Sequence, residues 1–238
     1  MRHHLEAAGY SNLQELQRDG HPLTQFLFFT HTLCPYAERV WLSIEERPEI
    51  AQKTSLVHVD LSNKPPWFRS VSPRGLVPTL LDLSTDQVHV ESMDIAEWIL
   101  DDTVQNPAIS SITAVCLDAC GGNAGSWRVG TKISQRQLDA LEQACERVLT
   151  DDMRLVEKIA VYPFLYRTMV ILDHAYGVDM SSMCGGNVGV WMRAMMDRPS
   201  AATTSADSAS FAHAMKAGGL DFFDYRTTKM FEFHPHLT

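Results

Sequence analysis

The chain changes character near residue 102, and that change restricts its possible folds more than any other feature. Before it, short apolar runs with strand period alternate with helix-periodic segments. After it, no strand pattern stands out and helical stretches dominate. Strands are expected over Gln25 to Thr30, Ser55 to Asp60, Val77 to Leu83 and Val88 to Val90. Helices are expected over Pro35 to Glu46, Pro66 to Val71 and Ser92 to Leu100, giving the order β-α-β-α-β-β-α. Val40, Trp41 and Ile44 recur at helical spacing on the first of these helices, and Pro48 ends it by restricting Arg47. Ser84-Thr85-Asp86 forms a polar turn between two apolar runs, which reads as a hairpin.

Past residue 102, Ser134 is expected to cap a run through Leu138, Leu141, Cys145, Val148 and Leu149. Asp151 or Asp152 is expected to cap the next helix, which runs to His174 and is kinked by Pro163. A further helix covers Val188 to Met196, and Ser200 to Ser210 is either a connection or the start of a last helix. The methionines Met192, Met195 and Met196 read as core or crevice filling.

A formal charge of −9 without any basic run argues against nucleic acid or an anionic membrane as the main partner. No apolar stretch approaches the roughly 18 residues that span a bilayer, and Met1 to Glu6 lacks the apolar core of a signal peptide, so a cytoplasmic protein is expected. The five cysteines are odd in number and scattered, which fits a reducing compartment rather than a disulfide framework. Cys116 and Cys120 would share a helix face, but no histidine or second cysteine pair nearby completes a ligand set, so no metal is expected.

Cys34 carries the strongest chemical signal. The apolar run Phe26 to Phe29 ends just before it and a helix pattern begins at Pro35, which places a thiol at a helix N-terminus. Unpaired backbone N–H groups and the positive end of the helix dipole favour the thiolate there.

Four segments in order carry a resemblance to a known family: Cys34-Pro35-Tyr36-Ala37-Glu38-Arg39-Val40, Asn63-Lys64-Pro65-Pro66-Trp67-Phe68, Gly75-Leu76-Val77-Pro78-Thr79-Leu80, and Glu91-Ser92. Together they resemble the cytosolic glutathione transferases, above all the cysteine-type omega, lambda and dehydroascorbate-reductase classes. The resemblance implies an α/β thioredoxin-like N-terminal domain over residues 23–102, preceded by an extension over 1–22. An all-α C-terminal domain would follow over 103–238. It also implies Cys34 as catalytic residue, with Pro35, Lys64, Val77, Pro78, Glu91 and Ser92 binding glutathione. In that reading the backbone of Val77 pairs with the cysteinyl unit of the ligand like an added strand. Ser92 and the N–H groups at its helix start hold the γ-glutamyl carboxylate, Glu91 meets the α-amino group, and Lys64 the glycyl carboxylate. The second half is similar over Leu155 to Arg167 and Val190 to Pro199, while Gly121-Gly122-Asn123-Ala124-Gly125 interrupts where the family has a long helix.

A protein thiolate at position 34 forms a mixed disulfide with glutathione rather than activating the ligand's own thiol. Position 37 is Ala, so no local second cysteine resolves that disulfide, and a second glutathione must. The expectation is a monothiol transferase or reductase with glutathione as co-substrate and weak conjugating activity. Its acceptors would be small disulfides, dehydroascorbate or glutathionylated proteins, and the chain a monomer or homodimer. The alternative is a noncatalytic binding or assembly module of the same fold, chloride-channel-like relatives included.

Overall fold

A computed structural model describes residues 24–61, 63–64, 68–120, 132–209 and 211. The expected extension over 1–22, residues 65–67 and the glycines at 121, 122 and 125 lie outside them. The chain divides into two compact units between Asp102 and Thr103.

The first unit is built on β1 (Phe26–Thr30), β2 (Thr54–His58), β3 (Thr79–Asp82) and β4 (Gln87–His89) in the order β2-β1-β3-β4. β1 runs parallel to β2, from Phe26 opposite Thr54 to Thr30 opposite His58, and antiparallel to β3. β3 and β4 form the expected hairpin. As a central strand, β1 is buried along its whole length and feeds both layers of the core. Leu27 and Phe29 pack with Val57, Phe68, Val71 and Leu81 on one face, while Phe26 and Phe28 pack with Val40, Ile44, Ile95 and Ile99 on the other. That explains why its sequence is continuously apolar rather than alternating.

α1 (Pro35–Glu45), α2 (Pro48–Ala51), α3 (Phe68–Val71) and α4 (Ser92–Leu100) complete the unit. α2 was not expected. Pro48, which ends the previous helix, also sits at the first position of this four-residue turn, where its missing N–H is no loss. β3 is shorter than the expected Val77 to Leu83: it starts after Pro78, which has no N–H to give to the ladder.

The second unit is all helix among its described residues: α5 (Ala108–Ala119), α6 (Gln135–Val148), α7 (Leu155–Tyr176), α8 (Asn187–Met196) and α9 (Pro199–Thr204), with 3-10 turns over Met180–Gly186. α7 is buried on every side from Val156 to Leu172, as the central helix of a bundle must be, and passes through Pro163 uninterrupted. It ends at Gly177 in the left-handed region, where Gly177 N–H reaches Asp173 C=O and Val178 N–H reaches Leu172 C=O. Neither Asp151 nor Asp152 caps it. The Glu157 carboxylate reaches back to the Arg154 N–H at 3.1 Å, so the cap lies inside the first turn. Met192 and Met195 are buried as expected, whereas Met196 is exposed. No helix among the described residues is long and apolar enough to cross a membrane.

Candidate functional site

β1 delivers the chain to Cys34 through a tight turn. The Cys34 N–H donates to the His31 carbonyl at 2.9 Å, and the Leu33 N–H donates to His31 Nδ1 at 3.2 Å. Pro35 then takes the first position of α1, and Cys34 is its N-cap, with no side chain bonded back onto the helix. The thiol is 8% exposed and in no disulfide. Its Sγ donates instead to the Val77 carbonyl, 3.9 Å away, 43 residues along the chain. The cysteine at the helix start and the loop before the cis proline therefore meet.

That loop is held from behind. Gly75 has a φ of +62°, a conformation that glycine adopts without a Cβ penalty, and its N–H reaches the Ser72 carbonyl at 2.7 Å. The Ser72 hydroxyl donates to the Leu76 carbonyl at 2.9 Å and accepts from the Leu76 N–H at 3.1 Å. Thr79 Oγ1 donates to the same Leu76 carbonyl at 2.9 Å. With Leu76 so fixed, Val77 presents its backbone beside Cys34, and Pro78 is buried.

Ser92 is the first residue of α4 and is buried. Arg39, on α1 and also buried, donates from Nη1 to Ser92 Oγ at 3.4 Å, which joins the two helices. Glu91 precedes Ser92 with a φ of +65° and is exposed, its carboxylate paired with the exposed Arg74. Lys64 stands exposed after β2, and among the described residues no hydrogen bond or ion pair ties it to Cys34, Val77 or Ser92.

The Arg39 guanidinium lies over the Tyr36 ring, 5.5 Å from its centroid. Burial pushes the Tyr36 phenol up, Arg39 opposes that, and Cys34 adds to it, so Tyr36 stays protonated at neutral pH. Sequence reasoning missed Arg39, Arg74, Ser72 and Thr79 as contributors. Arg39 lies within the motif that begins at Cys34, and Ser72 and Thr79 flank the glycine–proline loop. Chemically, the group offers a thiol at a helix start, a peptide edge beside it, and a hydroxyl at a second helix start.

Residues 33–102 match the family model for the glutathione S-transferase N-terminal domain. Glutathione S-transferase DHAR2 of Arabidopsis thaliana is 27% identical over 124 residues, 52% of this chain and 53% of that protein. Glutathione S-transferase L2, chloroplastic, of the same plant is 25% identical over 207 residues, 78% of this chain and 69% of that protein. Residues 33–102 thus carry a glutathione S-transferase N-terminal domain. The match to DHAR2 thus spans about half the length of that relative. Among solved structures, glutathione transferase Omega 2C from Trametes versicolor aligns with a TM-score of 0.58 at 20% identity, covering 82% of this chain and 98% of that one. The glutathione transferase fold is therefore that of a thioredoxin-like sheet unit followed by a helical unit here as well.

Proposed function

We propose that this chain is a glutathione transferase of the monothiol kind, in which Cys34 is the nucleophile and glutathione the reductant. The observation that carries the reading is Cys34 Sγ set 3.9 Å from the Val77 carbonyl at the start of α1. A ligand whose cysteinyl backbone pairs with Val77 brings its own sulfur to that thiol. Pro35 and Pro78 shape the two walls, Ser92 and the α4 N-terminus take the γ-glutamyl carboxylate, Glu91 the α-amino group and Lys64 the glycyl carboxylate. The exposed Arg74 is then displaced from Glu91 by the incoming ammonium, an exchange of one exposed pair for another.

The Cys34 thiolate attacks the glutathionyl sulfur of a mixed disulfide; that S–S bond breaks, and the released thiolate takes up a proton from water. Cys34 is left as its own glutathionyl disulfide. A second glutathione thiolate attacks the glutathionyl sulfur, glutathione disulfide departs, and the Cys34 thiolate returns. With dehydroascorbate as acceptor, two glutathiones supply the two electrons and two protons that yield ascorbate, and again leave as the disulfide. Ala37 is fully buried where a dithiol oxidoreductase has its resolving cysteine, which supports resolution by glutathione.

Parallel assays with hydroxyethyl disulfide, dehydroascorbate and a chloronitrobenzene test the proposal. Turnover of one of the first two, lost in Cys34→Ser, with slow conjugation of the third, supports it. Conjugation as the main activity, kept in Cys34→Ser, contradicts it. No turnover of any of the three, despite glutathione binding, favours the noncatalytic module.

A further inference from the structure

The Arg39–Ser92 contact assigns a task to a residue that the proposed chemistry does not otherwise use. A serine hydroxyl has one proton to donate and two lone pairs to accept with, whereas a guanidinium only donates. When Arg39 Nη1 donates to Ser92 Oγ at 3.4 Å, it takes up acceptor capacity and leaves the hydroxyl proton for an acceptor on the other side. An acceptor that suits a hydroxyl proton, the backbone N–H groups at the start of a nine-residue helix, and a cation behind them is a carboxylate.

Arg39 is itself held for this. It is 6% exposed, lies over the Tyr36 ring, and belongs to the helix that begins at Cys34, so the carboxylate end and the thiol end of the site are set by one rigid element. Arginine keeps its charge when buried and its planar fork stacks on a ring, neither of which lysine does as well.

We infer that Arg39 is a positioning residue that orients Ser92 toward the α-carboxylate of the γ-glutamyl unit and makes the site selective for ligands that carry that carboxylate. The inference rests on the proposed binding of glutathione at Ser92.

Calorimetric titration of the full chain with two ligands tests it: reduced glutathione, and γ-aminobutyryl-cysteinylglycine, the same tripeptide without the γ-glutamyl α-carboxylate. Arg39→Met is expected to weaken glutathione roughly tenfold and leave the analogue's Kd unchanged, the size of one lost charge-assisted hydrogen bond. Arg39→Lys is expected to recover part of that loss. Ser92→Ala is expected to show the same selective loss, and the double variant no more than the larger single loss, because the two side chains act as one unit. If Arg39→Met weakens both ligands alike, or if its effect adds in full to that of Ser92→Ala, Arg39 only supports the fold and the inference fails. If Arg39→Met does not fold, Arg39→Lys decides: selective loss of glutathione supports the inference, and equal loss or no loss overturns it. If Ser92→Ala leaves glutathione binding intact, the ligand is not held at Ser92, and it is the underlying binding reading that fails.

Discussion

Helices α1 and α4 of the first unit start at Cys34 and Glu91 with no cap side chain bonded back onto the helix. In the second unit, α6 is closed by Ser134 Oγ, which accepts from the Gln137 N–H at 3.3 Å, while Gln137 Oε1 accepts from the Ser134 N–H at 3.0 Å. α7 is closed by Glu157, which also accepts from Gln105 and Asn106. A helix start closed by its own side chains spends its free N–H groups on stability, whereas one left open keeps them for a ligand. The starts of α2, α5, α8 and α9 also lack a side-chain cap, but the open starts at Cys34 and Ser92 are the ones that carry residues of the candidate site.

The thiols divide in the same way. Cys116, Cys120 and Cys145 are wholly buried in the helical unit. Burial pushes Cys120 up to about 12 against the opposing bond to Thr168, and it pushes Cys145 up further, with the charges of Cys116, Cys184, Glu142 and Glu146 adding to it. Cys184, which shares a cavity of about 150 Å³ with Cys145, is raised by burial and by Glu142 and Glu146. The largest expected effect follows from this contrast. A thiol with a pKa of about 12 is thiolate in only about one part in 10⁵ at pH 7, so Cys120 and Cys145 should alkylate orders of magnitude more slowly than Cys34 in the native protein. Time-resolved iodoacetamide labelling with peptide mapping measures this. Labelling of Cys145 as fast as Cys34 breaks the comparison.

A pair of substitutions separates closed from open starts. Glu157→Ala should lower unfolding free energy by about 1.5–3 kcal/mol, the worth of hydrogen bonds to a charged group, with no change in glutathione affinity. Ser92→Ala should do the reverse, losing about that much glutathione binding and less stability. The Glu157 contribution also has a pH signature. Burial works against its ionisation, but the N–H groups of Arg154, Asn106 and Gln105 and the Arg154 charge outweigh it and hold its carboxyl below the usual range. A folded value lowered in this way gives stability that is whole above the unfolded value of about 4.3 and is lost as pH falls through the lower folded value. Urea midpoints of wild type and Glu157→Ala should therefore converge between pH 7 and pH 3. A constant gap would place the effect in packing rather than charge.

Much of the sheet unit was legible because its signals are local. Phe26 to Phe29, Cys34-Pro35, Val77-Pro78 and Glu91-Ser92 each announce an element boundary within a few residues. What the sequence could not convey were contacts between distant segments. Arg39 meets Ser92 across 53 residues, and Arg74 meets Glu91 across 17, with no periodicity linking either pair. The start of α7 was misread for a different reason. Asp151 and Asp152 have the chemistry of caps, yet a glutamate three residues inside the helix did the work while Arg154 stood at the cap. Ser134, with a glutamine three residues on, carried both halves of its signal and was read as a cap.

The smallest effect concerns that same cap. Ser134→Ala should cost about 1 kcal/mol of stability, and Ser134→Asp much less, because aspartate also accepts from the helix N–H groups. Denaturant unfolding followed by circular dichroism resolves the two. Equal losses would mean that the tie from Gln137 Nε2 to the Asp118 carbonyl at 2.7 Å, not the cap, holds α6 in place.

In the proposed reaction one of the five thiols, Cys34, does the chemistry. Incubation of the intact protein with glutathione disulfide, followed by intact mass and peptide mapping, tests it most directly. A single glutathionyl group is expected on Cys34, removable by reduced glutathione, with no adduct on Cys34→Ser. An adduct on Cys116, Cys120, Cys145 or Cys184, or full thiol-transfer activity in Cys34→Ser, would contradict it.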